Sequence, residues 1–430
     1  MQPNTYRFET EDVTLQRQVN DVVDWGLLLA VVGLLGVGLI SIYSATFKTS
    51  ASVVFSNQLV YALLGMGAAI GAYFMPQRWL SDTAYIAYGV GIVGLIAVLT
   101  PLGHEVNGQQ CWLQIGGFSF QPSELAKYTT LLAMARFTGS KGFNIRALRD
   151  LAMLGGMLLL PVGLIMMQPD TGSATVFLAM SLGLFLWVGG DVFLLYVLAT
   201  LPFIGASALY YSLFDVIWWL VGVTLLMVGG AFLFRRSLFA TVAAVALMIA
   251  VAVAVDPAFD SLESYQQKRL ITLFEPEANP RGSGYHVIQS MLAVGSGGVT
   301  GKGFLQGTQT QLRYIPEQWT DFIFCVPTEE FGFVGGVLVL GLLASIMLRT
   351  ISIAGLVRTR FASVVAIGFS TVLLYHTMVN IGMAIGLFPV MGIPLPFLSA
   401  GGTALIMNLT VVGLMMNFYK TRRRRSQPAA

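Results

Sequence analysis

Charge is scarce in this chain. Of its 430 residues only 10% are Asp, Glu, Lys or Arg, while 56% are hydrophobic. A soluble globular chain carries about 25% charged residues, so this one cannot hide its apolar side chains in a single aqueous core. Its mean hydropathy of +0.74 leads to the same conclusion. Cysteine is nearly absent: Cys111 and Cys325 are the only two, which excludes a disulfide framework and a zinc-type spacing. Three scattered histidines, His104, His286 and His376, offer no metal motif. The net charge of +3 is too small for the basic footprint of a nucleic-acid binder. The short alternating segments of a membrane β-barrel are missing. No internal repeat stands out, which argues against the inverted-repeat transporters.

What the chain does have is apolar runs of the length that crosses a hydrocarbon core of about 30 Å. They fall near 24–44, 55–75, 84–103, 122–137, 147–167, 173–190, 192–211, 214–234, 237–255, 328–348, 362–386 and 400–419, twelve in all. The expected fold is therefore an all-α polytopic membrane protein, a single transmembrane domain over 24–420. It is flanked by a cytoplasmic N-terminal segment, 1–23, and a basic tail, 421–430. Those first residues are polar and mixed in charge, unlike a cleavable signal, so the first run is expected to stay as an anchor. Lys and Arg collect in short loops between spans four and five (Arg136, Lys141, Arg146, Arg149), eight and nine (Arg235, Arg236), and ten and eleven (Arg349, Arg358, Arg360). More follow span twelve (Lys420, Arg422 to Arg425). All share one side if both termini are cytoplasmic. Two sizeable loops, 104–121 and 256–327, then lie outside.

Polar chemistry concentrates in the second of these loops and at a few span ends. GSGGVTGKG fails the phosphate-loop spacing, because Ser296 stands where a glycine is needed and Gly303 follows Lys302. It leaves two readings: backbone N–H groups lining an anion site beside Lys302, or a tight turn that needs positive φ. In WTDFIF, Asp321 is either a general base with a raised pKa or a cap. Glu329 and Glu330 follow Pro327, where first-turn acids suit the helix dipole. Glu124 and Lys127 in QPSELAK share a helix face, as a structural ion pair or as the charged wall of a polar cavity. Gln121 and Ser123 flank them. QPDTG breaks the chain at Gln168, with Asp170 placed to cap the sixth span. NIGMAIGLFPVMGIPLPFLSAGG, with Pro394 and Pro396, is broken backbone at membrane depth, tolerated where it lines a cavity. Trp112 is an interfacial anchor or a platform for a sugar ring.

These segments, FQPSELAK, QPDTG, GSGYHVIQSMLAVGSGGVTGKG, PEQWTDFIF, EEFGFVG and NIGMAIGLFPVMGIPLPFLSAGG, resemble the SEDS family (shape, elongation, division and sporulation) and occur in that family's order. GKGFLQGTQTQLRYIPEQ is similar to its elongation branch more than to its division branch. The resemblance implies a peptidoglycan glycosyltransferase that polymerises lipid II at the outer face of the cytoplasmic membrane, adding units to a glycan strand and releasing undecaprenyl pyrophosphate. It implies Asp321 as the acid of the TDFIF motif, expected to deprotonate the acceptor hydroxyl. It also implies Trp112 as the outer-loop tryptophan and Glu124 with Lys127 as the central-cavity pair. Lys302 is a candidate for pyrophosphate contact. A divalent cation, Mg2+ or Mn2+, could share that task, although no ligand set is identifiable. The implied partners are lipid II and the growing strand, a class B penicillin-binding transpeptidase and other elongation-complex membrane proteins, with no nucleic acid.

The chain departs from the family pattern in several places. Trp319 replaces the usual His before Thr-Asp, Cys111 the Arg before the loop tryptophan, Asn279-Pro280 the usual DP, and SAGGT the usual SYGGS. Ten spans are usual, so the apolar material near 212–255 is expected to be an added helix pair. Cys111 and Cys325, both expected outside, are a hypothetical disulfide. A flippase for lipid II or a similar polyprenyl lipid is the alternative function; it would need charge along the whole path rather than at the outer face.

Overall fold

The computed structural model describes residues 22–47, 51–106, 108–116, 118–234, 237–262, 264–275 and 283–422. The N-terminal residues 1–21, Arg235 and Arg236, Asn279-Pro280 and the tail from Arg423 lie outside the described residues, with the expectations that fall on them. In chain order the helices are α1 Trp25–Thr46, α2 Ser52–Phe74, α3 Gln77–Asp82 and α4 Ala84–Val98. A small sheet follows, β1 Gly103–Val106, β2 Gln109–Ile115 and β3 Phe118–Phe120. Then come α5 Pro122–Thr138, α6 Leu148–Met166, α7 Thr171–Trp187, α8 Val192–Phe214, α9 Ile217–Phe232 and α10 Leu238–Asp260. The last elements are α11 Ser264–Phe274, α12 Ser283–Ser296, α13 Thr308–Gln311, α14 Cys325–Glu330, α15 Gly332–Leu356, α16 Arg360–Ala384 and α17 Gly402–Lys420.

Among the described residues, eight helices are long and apolar enough to cross a membrane, and α4, α7 and α9 are shorter apolar helices. Together with α5 these helices coincide with the twelve apolar runs, and the chain is an integral membrane protein. The fold is the expected helical polytopic one, with two local additions. Within the loop after α4, β1, β2 and β3 pair as an antiparallel sheet with His104 opposite Trp112 and Leu113 opposite Phe120. The loop 256–327 carries structure of its own: α10 runs on to Asp260, and α11, α12, α13 and the start of α14 occupy much of the remainder.

Contacts divide the chain into two units. The first comprises residues up to 184, 290–385 and 391–430. Its least apolar helices sit in the middle, because a polar side chain facing lipid would lose its hydrogen bonds. On α5 nearly every residue is buried, Ser123, Glu124, Lys127, Thr129 and Thr130 included. It packs between α4, α6, α16 and α17. By contrast α2 turns Leu63, Ile70 and Phe74 outward and α15 turns Phe333 and Leu348 outward. Lipid is as apolar as leucine, so close approach here depends on small residues. A Cβ on Gly413 of α17 would lie 2.1 Å from the Ala69 carbonyl of α2. Asn417 then donates to the carbonyls of Tyr73 (2.6 Å) and Met75 (2.8 Å), tying the same two helices at one end.

The second unit holds 185–289 and 386–390. Its core is a cluster of Phe193, Val197 and Ile204 on α8 with Ala231 of α9 and Ala244 and Met248 of α10. Tyr196 passes over Gly230 to donate to the Met227 carbonyl at 2.7 Å. The helix pair expected near 212–255 is α9 and α10, which pack on α8.

Candidate active site

Pro122 occupies the first turn of α5, where its missing N–H costs nothing. The N–H of Gln121 before it donates to Thr403 Oγ1 at 3.1 Å, which fixes the helix start against α17. One turn in, the Lys127 ammonium donates to both Glu124 carboxylate oxygens, at 3.0 and 2.9 Å. Both side chains are buried. A third contact joins Lys127 Nζ to His376 Nε2 of α16 at 3.2 Å. His376 Nδ1 meets the Pro394 carbonyl at 3.0 Å. A carbonyl oxygen only accepts, so Nδ1 carries the proton and Nε2 accepts from the ammonium. The imidazole is thereby neutral, and all three Lys127 N–H bonds are used.

Gln121, Ser123, Glu124, Lys127, Ser173 and His376 line a cavity closed by Gly392, Ile393 and Pro394. Its volume of about 30 Å³ holds one or two water molecules and not a sugar ring. At its edge Asp170 caps α7, accepting from Ser173 N (3.0 Å) and Ser173 Oγ (2.6 Å). It also accepts from Gln121 Nε2 (3.4 Å). Burial pushes the Asp170 carboxyl up from its ordinary range, against the pull of the Ser173 hydrogen bonds. Gln168 anchors this turn by donating to the Leu95 carbonyl at 3.0 Å.

Asp321 lies in the turn before α14, half-buried, with its backbone strapped to the broken segment before α17. Ala400 N donates to the Trp319 carbonyl (2.8 Å) and Ser399 Oγ to the Thr320 carbonyl (2.6 Å). Asn380 Nδ2 donates both to the Asp321 carbonyl (2.9 Å) and to that of Ile393 (2.8 Å). The Asp321 carboxylate faces Gly392: a Cβ added there would stand 3.8 Å from Oδ2. Gly392 has φ +69°, which a side chain would resist, and it lines the cavity. The structure thus lines one small polar space with Gln121, Ser123, Glu124, Lys127 and Pro394, while Asp170 bonds the lining residues Gln121 and Ser173 and the Asp321 carboxylate lies beside Gly392. Pro396 is buried in the turn just after it.

Trp112 and Lys302 are not among the residues lining that space. Trp112 is half-buried on β2 beside the buried Cys111. Lys302 gives its N–H bonds to Ser296 Oγ (2.6 Å), Thr308 Oγ1 (2.7 Å) and Glu329 Oε1 (2.7 Å). Of the two readings of the glycine run, the turn is the one formed. Gly298, Gly301 and Gly303 all have positive φ, and the N–H groups of Lys302 and Gly303 donate to the carbonyls of Glu329 (3.0 Å) and Glu330 (2.9 Å). Those two N–H groups are not left for an anion.

Glu329 and Glu330 end α14 rather than opening the next span. Glu329 accepts from the N–H groups of Gln309 (2.8 Å) and Thr310 (2.9 Å), so the dipole it serves is that of α13. The hypothetical disulfide is not present: Cys111 on β2 and Cys325 on α14 are both free and buried. Burial, and secondarily Asp170, push the Cys111 thiol up to about 12. No group of three or more His, Cys, Asp or Glu among the described residues could hold a metal ion. In the cavity both Glu124 carboxylate oxygens accept from Lys127.

Two site residues escaped the sequence reading, His376 and Asn380. Their signal was available: an ionisable side chain inside a span, with an amide four residues on and so on the same face.

A family model described as a cell cycle protein family, covering FtsW, RodA and SpoVE, matches residues 25–218 and 204–424. The peptidoglycan glycosyltransferase RodA of Treponema pallidum is 33% identical over 428 residues, covering 93% of this chain and 98% of that protein. The peptidoglycan glycosyltransferase MrdB of Escherichia coli is 32% identical over 405 residues, covering 94% and 95%. Among solved structures, a chain from a peptidoglycan synthase complex that coordinates polymerization and crosslinking is 31% identical, with a TM-score of 0.68 and coverage of 92% and 97%. The rod shape determining protein RodA of Thermus thermophilus is 26% identical, with a TM-score of 0.61 and coverage of 94% and 98%.

Proposed function

This chain belongs to the FtsW, RodA and SpoVE family and is a peptidoglycan glycosyltransferase of the RodA kind, and from that premise we propose that Asp321 is the base of its polymerisation step. The substrate in this reading is lipid II, and the reaction joins its disaccharide-pentapeptide unit to the growing glycan strand. Asp321 takes the proton of the acceptor hydroxyl as that oxygen bonds to the donor's anomeric carbon. The bond from that carbon to the pyrophosphate breaks, and undecaprenyl pyrophosphate leaves with the electron pair. The observation that carries this reading is the position of the Asp321 carboxylate over Gly392, at the rim of the Glu124–Lys127–His376 cavity.

The neutral imidazole and the Glu124–Lys127 pair give the cavity fixed dipoles without net charge, a setting that favours a polar substrate group brought in from the rim. The site faces outward in this reading, and both termini are cytoplasmic. Arg136 supports that orientation, since it bonds Ser81 Oγ (2.9 Å) and Asp82 (3.3 Å) and so holds the α3 turn at the basic end. A class B penicillin-binding transpeptidase is the expected partner, in keeping with the synthase complex that the chain resembles. A flippase would need charge along the path, yet α5 carries Glu124 and Lys127 near one end and only Arg136 at the other.

The test is glycan polymerisation from purified lipid II, with and without the transpeptidase, comparing wild type and Asp321→Ala. Strands from wild type and none from Asp321→Ala are the expected result. Equal strands from both would overturn the assignment of Asp321, and none from wild type even with its partner would favour transport.

A further inference from the structure

Asp321 and the Glu124–Lys127 pair come from elements far apart in sequence, and one face of α16 touches both. His376 and Asn380 are four residues apart, so they stand one above the other on that helix. Between them they grip consecutive carbonyls of one strand of chain. His376 Nδ1 donates to Pro394 O at 3.0 Å and Asn380 Nδ2 to Ile393 O at 2.8 Å. Each also reaches one half of the site. His376 Nε2 accepts from Lys127 at 3.2 Å, and Asn380 Nδ2 donates to the Asp321 carbonyl at 2.9 Å. Asn380 spends its amide N–H groups in this way and leaves Oδ1 buried without a partner, as expected of a side chain kept for its donors.

We propose that His376 and Asn380 are positioning residues that act as one clamp, holding the Asp321 carboxylate in register with the Glu124–Lys127 pair through the 393–394 strand. The inference rests on the reading of Asp321 as the base. Neither residue touches the reacting atoms; their effect is on the distance and angle at which the carboxylate meets the acceptor. A misplacement of about 1 Å at a reacting group can cost on the order of 100-fold in rate.

The two bonds of His376 can be removed one at a time. His376→Asn keeps a donor where Nδ1 stands and loses the acceptor for Lys127. His376→Gln keeps an acceptor where Nε2 stands and loses the donor to Pro394. Asn380→Ala releases Asp321 and Ile393 together. Full-length variants are assayed for polymerisation of lipid II, with the transpeptidase where wild type needs it. Rates are taken per folded molecule, from the monodisperse detergent-solubilised fraction, and thermal stability is recorded in parallel. The clamp predicts a kcat lower by about 10- to 100-fold for His376→Gln and Asn380→Ala, with KM for lipid II within about twofold. It also predicts that the double variant is no worse than the poorer single one, because both break the same link. His376→Asn should retain more activity than His376→Gln, since it spares the strand.

Wild-type kcat in the folded fraction of both His376→Gln and Asn380→Ala would overturn the clamp, whatever their stability. So would losses that multiply in the double variant. If Asp321→Ala polymerises normally, the base assignment fails instead. If Asp321→Ala is inactive while the clamp variants are wild type, only the clamp fails.

Discussion

Glu329 and Glu330 are neighbours in sequence, and their surroundings push them apart. Burial works against the charge on Glu329, but hydrogen bonds from Lys302, Thr310 and two backbone N–H groups outweigh it and hold its carboxyl below the ordinary value of 4.5. Burial dominates at Glu330 and pushes it above 4.5, although Ser44 and the Leu305 N–H bond its Oε1. Its Oε2 is buried and bare, which suits a protonated acid. The signs follow from linkage. The contribution of Glu330 is complete below its unfolded value and fades as pH rises through its folded one. The contribution of Glu329 is present above the unfolded value and is lost as pH falls through its depressed one. At neutral pH Glu330→Gln should therefore leave the thermal midpoint unchanged or raise it, and flatten its fall on the alkaline side. Glu329→Gln should cost about 3 kcal/mol, because it strands the Lys302 ammonium against a buried neutral amide. Thermal unfolding in detergent across a pH series checks both; equal losses from the two substitutions would contradict the assignment.

At the scale of elements, the turn over 297–303 is where glycine is required. Gly301 has φ +82°, and a Cβ on it would stand 2.1 Å from the Glu330 carbonyl oxygen. Gly301→Ala should lose about 2–5 kcal/mol through backbone strain and overlap together. Gly295 of α12, whose Cβ would meet nothing within 4 Å, is the control. There Ala should be neutral or stabilising by up to about 1 kcal/mol. The contrast in midpoint between the two alanine variants is the measurement. This turn also marks the limit of what could be read from the chain alone. Failed phosphate-loop spacing was visible in the residues, but the carbonyls that take its N–H groups, those of Glu329 and Glu330, belong to α14 far along the chain, and local pattern is silent about such partners. Glu124 and Lys127 were legible because both lie on one helix turn. For His376 the chain offers only an ionisable group inside a span; its contact with Lys127, 249 positions away, was not legible. Pro327 misled for a related reason: it does sit within a first turn, but of the short α14 and not of the span that follows.

For the whole molecule, the apolar helices were readable because lipid calls for long apolar runs, although α4, α7 and α9 are shorter than the eight candidate spans. The sheet at 103–120 and the helices within 256–327 were not, since short amphipathic elements outside the bilayer carry no such constraint. Orientation remains a prediction with a direct measurement. Cys111 and Cys325 are buried and free, and burial holds both thiols above their usual pKa, so native background labelling should be low. Glu317→Cys, beside the Asp321 turn and exposed, should react with a membrane-impermeant maleimide in intact cells. Ser140→Cys, just past α5 and also exposed, should react only after permeabilisation. The reverse pattern would invert the topology and move the site to the cytoplasmic face. The polar centre of the first unit bears on how the protein is made. A Lys costs about 2.5–3.5 kcal/mol at the middle of a helix entering lipid and less toward its ends, and α5 buries Glu124 and Lys127 within its first two turns, among hydroxyls. Released singly from the translocation channel, that helix would partition back into water. Its insertion is therefore expected to be cooperative, with α4 or α6, which it packs against in the folded protein, held at the channel as company.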